Sequence, residues 1–295
     1  LDDGSDRGVS VFSVIDCIGI AGTDIRRIRA RLSSFAAEHG INCINISATH
    51  CHSGVDTQGL WGDLLPDAIV ENFKKLRKGE TDGLKSGRNP EFMENLYVTA
   101  AETIKTAVEN MKKGTLYCSV SDEKKYSHDK RLPDVTEKDL TMLRFVPDDD
   151  SRQTIAVFAA AHPVALGEKN TKVSSDFPYY MVDELNKNNY NGIFFQGPQL
   201  AVTTSGDFID EELKSSEQEG YMKFGRGLAR YAMSLVGTDK EKAVKPILNV
   251  RIAETFIPAE NEVFMLIGKV GLVTNIILKS GRQPSDLVFV TEVGY

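Results

Sequence analysis

Two histidines, His50 and His52, stand two residues apart in the segment Ser47-Ala48-Thr49-His50-Cys51-His52-Ser53-Gly54. An apolar run passes there into a glycine-containing loop. Side chains at i and i+2 of an extended chain share a face, so both imidazoles point one way and Cys51 the other. Two neutral imidazoles converging at a strand exit suit zinc. The same spacing describes loop histidines satisfied by ordinary hydrogen bonds, and His-x-His alone does not separate the two readings. His162 adds weight to the first. It closes the run Ala156-Val157-Phe158-Ala159-Ala160-Ala161, and Pro163 stops the strand at once. Ligand sites in α/β sheets gather at such strand ends. The other two of the 5 histidines carry less. His39 falls in the tail of a helix, where an imidazolium suits the dipole, and His128 lies in a charged loop. If His50 and His162 are to share an ion, their rings must meet although 112 residues (162 − 50) separate them.

The elements that would bring them together can be read from periodicity. A β-rich run spans residues 9–18. A helix then starts from a Thr23 or Asp24 cap, carries Ile25, Ile28, Leu32 and Phe35 on one face and ends at Gly40. Residues 42–49 return as a strand, giving a βαβ unit. A short helix is expected over 68–76. Asn89-Pro90 starts a long helix, with Phe92, Leu96, Ala100, Ile104, Val108 and Met111 facing inward and Gly114 ending it. Strands follow at 116–120, 140–146 and 154–161, the last two joined as a hairpin by Asp148-Asp149-Asp150. A helix over 179–188, a strand over 192–196 and a helix over 220–236 continue the alternation. The expectation is an α/β fold of mixed sheets with flanking helices, as a single large domain over 1–295.

Composition bounds the partners. With 295 residues, 41% hydrophobic, the chain can bury a substantial core. A net charge of -7 and no dense basic stretch argue against nucleic acid. Apolar runs such as 155–161 suit buried strands and are too short to span a bilayer. Cys17, Cys43, Cys51 and Cys118 show neither zinc-ribbon nor disulfide-framework spacing and read as reduced core thiols.

The segment Ile46-Ser47-Ala48-Thr49-His50-Cys51-His52-Ser53-Gly54 resembles the Ser-Ala-Thr-His-Thr-His-Ser-Gly signature of the neutral/alkaline, non-lysosomal ceramidases, with Cys51 in place of the middle threonine. Phe158-Ala159-Ala160-Ala161-His162-Pro163 is similar to that family's second histidine motif. Ser174-Ser175-Asp176-Phe177-Pro178-Tyr179 resembles the stretch after it, ahead of Phe195-Gln196-Gly197. Asp129-Lys130-Arg131-Leu132-Pro133 and Leu143-Arg144-Phe145 are similar to the bacterial branch. The likeness runs in order along most of the chain.

The resemblance implies a zinc-dependent amidohydrolase that cleaves an N-acyl amide, ceramide to fatty acid and sphingoid base. His50 and His162 would be zinc ligands, and His52 would face substrate and the attacking water as a catalytic proton-transfer group. Arg131 would hold a polar substrate group. The implied partners are a lipid or small-molecule amide and a peripheral membrane surface; the compartment stays open between secreted, periplasmic and cytoplasmic.

Two departures bear on this. The family completes its metal site with the glutamate of Pro-Gly-Glu and a tyrosine. Pro-Gly-Glu is missing, and Glu292 in Thr291-Glu292-Val293-Gly294-Tyr295 aligns just before it. The remaining ligands are therefore expected beyond Tyr295, with the segment a domain cut at both ends. An alternative alignment makes Tyr295 the tyrosine ligand and Lys269 the replaced glutamate. Where better-known ceramidases carry Gly-Asp-Val-Ser-Pro with a catalytic serine, this chain has Pro198-Gln199-Leu200-Ala201-Val202-Thr203, with hydroxyls at Thr203, Thr204 and Ser205 out of place. That motivates two alternatives: an inactive binding protein on the same fold, or a zinc hydrolase of another amide or ester.

Overall fold

The structure, a computed structural model, describes residues 1–59, 66–80, 84–122, 128–129, 131–133, 135, 137, 139–167, 169–199, 202–203, 219–258, 261–270, 272 and 282–294. It is an α/β fold with mixed sheets and flanking helices, as the periodicity predicts. The elements that matter to the histidines form two strand–helix–strand units.

In the first unit, β1 (Val9–Ile15) runs parallel to β2 (Ile41–Ala48), Ser13 opposite Ile46 and Ile15 opposite Ala48. A parallel pair needs a crossover, supplied by α1 (Gly22–Arg31) and α2 (Ser33–Glu38). The expected single helix thus breaks at Leu32, which is fully buried. Asp24 does not cap α1 with its side chain; the N-cap is Ala21. The Asp24 carboxylate is instead fully buried, taking both oxygens' bonds from Arg88 Nη1 at 3.0 and 2.9 Å and one from Tyr97 Oη at 2.5 Å.

After α3 (Pro66–Arg77), α4 (Pro90–Glu109) covers this unit. Asn89 caps it, accepting from Phe92 N at 2.9 Å, with Pro90 in the first turn. Its buried residues are Met93, Tyr97, Ala101, Ile104 and Val108, so the N-terminal half is rotated from the expected face and Phe92 is exposed. Tyr97 explains the rotation: its ring fills the core while its hydroxyl reaches Asp24.

The second unit belongs to a five-stranded sheet, whose order is β7-β6-β5-β3-β9. Its strands are β3 (Gly114–Asp122), β5 (Asp139–Pro147), β6 (Gln153–Ala159), β7 (Tyr190–Gln196) and β9 (Glu241–Ala243); β4 is the short His128–Asp129. β5 and β6 form the expected antiparallel hairpin, and β6 pairs in parallel with β7 across α5 (Asp176–Lys187). α5 packs on α6 (Gly220–Ser234) so closely that a Cβ on Gly225 would lie 2.3 Å from the Phe177 carbonyl oxygen. Phe177, Met181, Leu185, Phe194, Phe224 and Leu228 form the core between helices and sheet.

The chain continues through β8 (Val202–Thr203), paired with β4, and the antiparallel ribbon β10 (Lys245–Pro258) and β11 (Arg282–Gly294), with α7 (Glu262–Lys269) between. All four cysteines are unpaired thiols. Among the described residues no helix is long and apolar enough to cross a membrane.

Candidate metal centre

The exits of β2 and β6 meet. Across the junction His52 N donates to the Pro163 carbonyl at 3.2 Å, and Ser174 N donates to the Ser53 carbonyl at 2.9 Å. Three imidazoles converge there, with ring centroids 4.8 Å apart for His50–His52 and 4.7 Å for both His50–His162 and His52–His162. His52 Nε2 lies 3.1 Å from His50 Nε2 and 2.9 Å from His162 Nε2. Nitrogens bound to one tetrahedral zinc at about 2.0–2.1 Å would stand about 3.3–3.4 Å apart, so the spacing is close to what such an ion requires.

Strand alternation is not what aligns His50 with His52. β2 ends at Ala48, and His50 has φ +63°, in the left-handed region. Histidine enters that region more readily than most residues, and such strained backbone concentrates at functional sites. The turn sends Cys51 inward to full burial and leaves His52 on the surface.

His50 Nδ1 lies 2.6 Å from the Ile18 carbonyl, an arrangement that places the proton on Nδ1 and the lone pair on Nε2. The carbonyl that orients it is itself anchored. Fully buried Thr57 donates its hydroxyl to the neighbouring Gly19 carbonyl at 2.5 Å, Cys51 N donates to the Cys17 carbonyl at 3.1 Å, and Arg88 Nη1 reaches the Thr57 carbonyl at 3.4 Å. Such outer contacts set ring orientation in metal sites.

Two of the rings, His50 and His52, are shifted toward the neutral form that ligation needs. Burial lowers the His50 pKa, and the His162 ring adds to it. His52 is pushed down to about 4, by burial first and then by His162 and His50. Although His52 is exposed as a residue, its Nε2 is crowded against two other nitrogens. With the His50 Nε2 unprotonated, a His52 Nε2–H can point at only one neighbour, and a His52 Nε2 without that proton sets its lone pair against that of His50. A cation at the centre removes that repulsion, so the three residues fit a metal ion.

Arg131 is not brought into this cluster by any hydrogen bond or ion pair found among the described residues. It is exposed in the turn after β4, its backbone N donating to Asp129 Oδ1 at 2.9 Å. Tyr295, Ala201, Thr204 and Ser205 lie outside the described residues, as do the side chains of Lys269, Glu292, His128 and Thr203. His39 stacks on Phe35, centroids 4.0 Å apart, away from the triad in sequence and packing. Sequence reasoning missed the Asp24–Arg88–Thr57 support, for which no local pattern exists, and gave no role to Asp176, although the Ser-Ser-Asp stretch was noted.

Cys51 combines packing with a bond: its Sγ–H donates to the Ser174 carbonyl at 3.0 Å, and burial pushes its thiol up to about 12. Cys51→Ser preserves a donor at a shorter reach. It is expected to leave metal content unchanged and to cost about 1 kcal/mol in a urea melt; loss of metal from a folded variant would contradict that.

Solved structures carry the same arrangement of elements. A structure described as a ceramidase complexed with C2 superposes with a TM-score of 0.62 at 15% identity, covering 83% of this chain and 38% of that one. A neutral ceramidase from Pseudomonas aeruginosa matches with a TM-score of 0.59 at 15% identity, covering 93% of this chain and 42% of that one. The chain has the neutral ceramidase fold. It spans about two fifths of the length of these ceramidase structures. No protein-family model matches it, and no curated protein does so by sequence. The likeness to the ceramidase structures therefore rests on three-dimensional form.

Proposed function

We propose that the chain belongs to a zinc-dependent hydrolase that cleaves an N-acyl amide, with ceramide as the first substrate to try. The observation that carries this reading is the meeting of three imidazole nitrogens at two strand exits of a ceramidase fold. In this reading His50 and His162 hold the ion through Nε2. Zinc, when bound, supplies a Lewis acid that polarises the amide carbonyl and acidifies water. His52, on the solvent side and kept neutral, accepts the proton of the attacking water and returns it to the leaving amine. Arg131 serves as a donor for a polar substrate group once a substrate bridges to its turn. Exposed Val173, beside the Ser174–Ser53 bond, and Leu132, beside Arg131, support an acyl or sphingoid chain as part of the substrate and a contact with a lipid surface.

The 2.9 and 3.1 Å separations around His52 Nε2 favour one further reading, in which His52 is a third nitrogen ligand. Three protein ligands and an open fourth position are the usual catalytic zinc set. X-ray absorption of the zinc-loaded protein separates the two by counting imidazoles.

The function is tested by presenting short-chain ceramide in detergent beside soluble N-acyl amides, before chelation, after it and after zinc reloading. Release of fatty acid that disappears with chelator and returns with zinc is the expected result. A protein holding one zinc per chain with no turnover on any amide would be a binding protein. Turnover confined to other amides or esters would move the substrate and keep the chemistry.

A further inference from the structure

Asp176 has no part in the reading above, yet it is the most constrained residue near the triad. It is fully buried, and its φ is +54°, the left-handed region that it shares with His50 on the facing loop. Its Oδ2 accepts from Ala165 N at 2.9 Å and from Leu166 N at 3.4 Å, and its Oδ1 accepts from Phe177 N at 2.6 Å. Its own N–H donates to Ser174 Oγ at 3.0 Å. The carboxylate therefore grips the turn that follows His162 on one side and the start of α5 on the other.

That turn also carries the first histidine loop. The Pro163 carbonyl receives His52 N, and Ser174, tied to Asp176, gives its N–H to Ser53 and takes the Cys51 thiol proton at its carbonyl. A helix start needs nothing of this kind, since a serine or threonine cap suffices. Burying a carboxylate is unfavourable without full pairing, and the burial does raise the Asp176 pKa against its three N–H donors and the nearby His162.

We propose that Asp176 is a positioning residue. Through the 163–166 turn and Ser174 it sets the placement of both His162 and His52, so that the three imidazoles converge before any ion binds. It touches neither substrate nor metal in this scheme. The proposal rests on the metal reading only for its effect on affinity; the geometric part stands by itself.

Asp176→Asn separates the two. Asparagine keeps the size and tolerates positive φ, but it offers a single acceptor oxygen, so it cannot serve both Ala165 and Phe177. In the metal-free variant, imidazole nitrogen resonances of His52 and His162 and the amide signals of Ala165 and His52 are expected to shift, while those of His39 stay. Cobalt and zinc affinity should fall about 10- to 100-fold, the range for losing an outer contact in a metal site. Ser174→Ala, which removes only the anchor of the Asp176 amide, should give the same shifts in smaller size and decides the matter if Asp176→Asn fails to fold. Unchanged His52 and His162 resonances in a folded variant would overturn the proposal, as would unchanged affinity in a protein whose wild type binds the ion. A wild type that binds no metal, with those resonances still displaced by the mutation, would sink the metal reading and uphold the positioning role.

Discussion

On the proposed zinc reading, His162→Ala is expected to leave the protein folded and to abolish metal binding. His162 stands after β6 rather than within it and is partly exposed, so truncation opens no core cavity. In the proposed reading the variant keeps His50 as its one histidine ligand, well short of the three protein donors usual for catalytic zinc. Metal content measured after gel filtration should drop to a small fraction of that held by the unaltered chain. If the metal lowers the barrier by several kcal/mol, amide hydrolysis should fall by about a thousandfold or more. His39→Ala is the control: its Nδ1 contacts the Phe35 carbonyl in α2, and its loss should leave the zinc in place. Full zinc occupancy in His162→Ala would remove this residue from the ligand set and with it the proposed centre.

The largest stability effect is expected at Arg88. Its guanidinium, with 11% of the side chain exposed, faces the Asp24 carboxylate, with 1% exposed. Arg88→Met strips the partner from a buried charge, and breaking such a pair costs about 3–5 kcal/mol. Tyr97 Oη still donates to Asp24 but brings no charge. The double variant Asp24→Leu with Arg88→Met removes both charges and should recover much of the loss. Equilibrium urea unfolding of the three proteins reads this directly. A penalty below about 1 kcal/mol for Arg88→Met would mean that Asp24 finds water in the folded state. Because Arg88 also reaches the Thr57 carbonyl, the single variant should loosen the segment that orients His50.

The strands and helices were legible in the sequence because each has a period. β2, β6, α4 and α6 fall within a few residues of where alternation and capping signals put them. Asn89-Pro90 is read correctly because cap and first-turn proline are local chemistry. What failed was non-local. Asp24 has the right type to cap α1 but binds Arg88, 64 residues away, and no pattern in a single chain announces an ion pair at that distance. The inward face of α4 shifted for the same reason, Tyr97 being drawn to Asp24. At the site, the histidines were found from their types and positions, yet the reason given for their alignment was wrong. A left-handed residue at His50 does what an extended strand was expected to do, and positive φ outside glycine leaves little trace in sequence.

The junction between the two strand–helix–strand units also orders events in time. His50 and His52 leave the ribosome 112 residues (162 − 50) before His162, and Asp176 follows later still. At about 5–20 residues per second, the first two imidazoles wait for a period on the order of ten seconds. Throughout it the β1–β2 unit has its crossover helices α1 and α2 but neither the Pro163 carbonyl nor Ser174 to receive its histidine loop. An ion captured in that interval would meet His50 without His162 and would exchange freely. On the proposed reading, selectivity for one metal would be acquired only when the second unit docks.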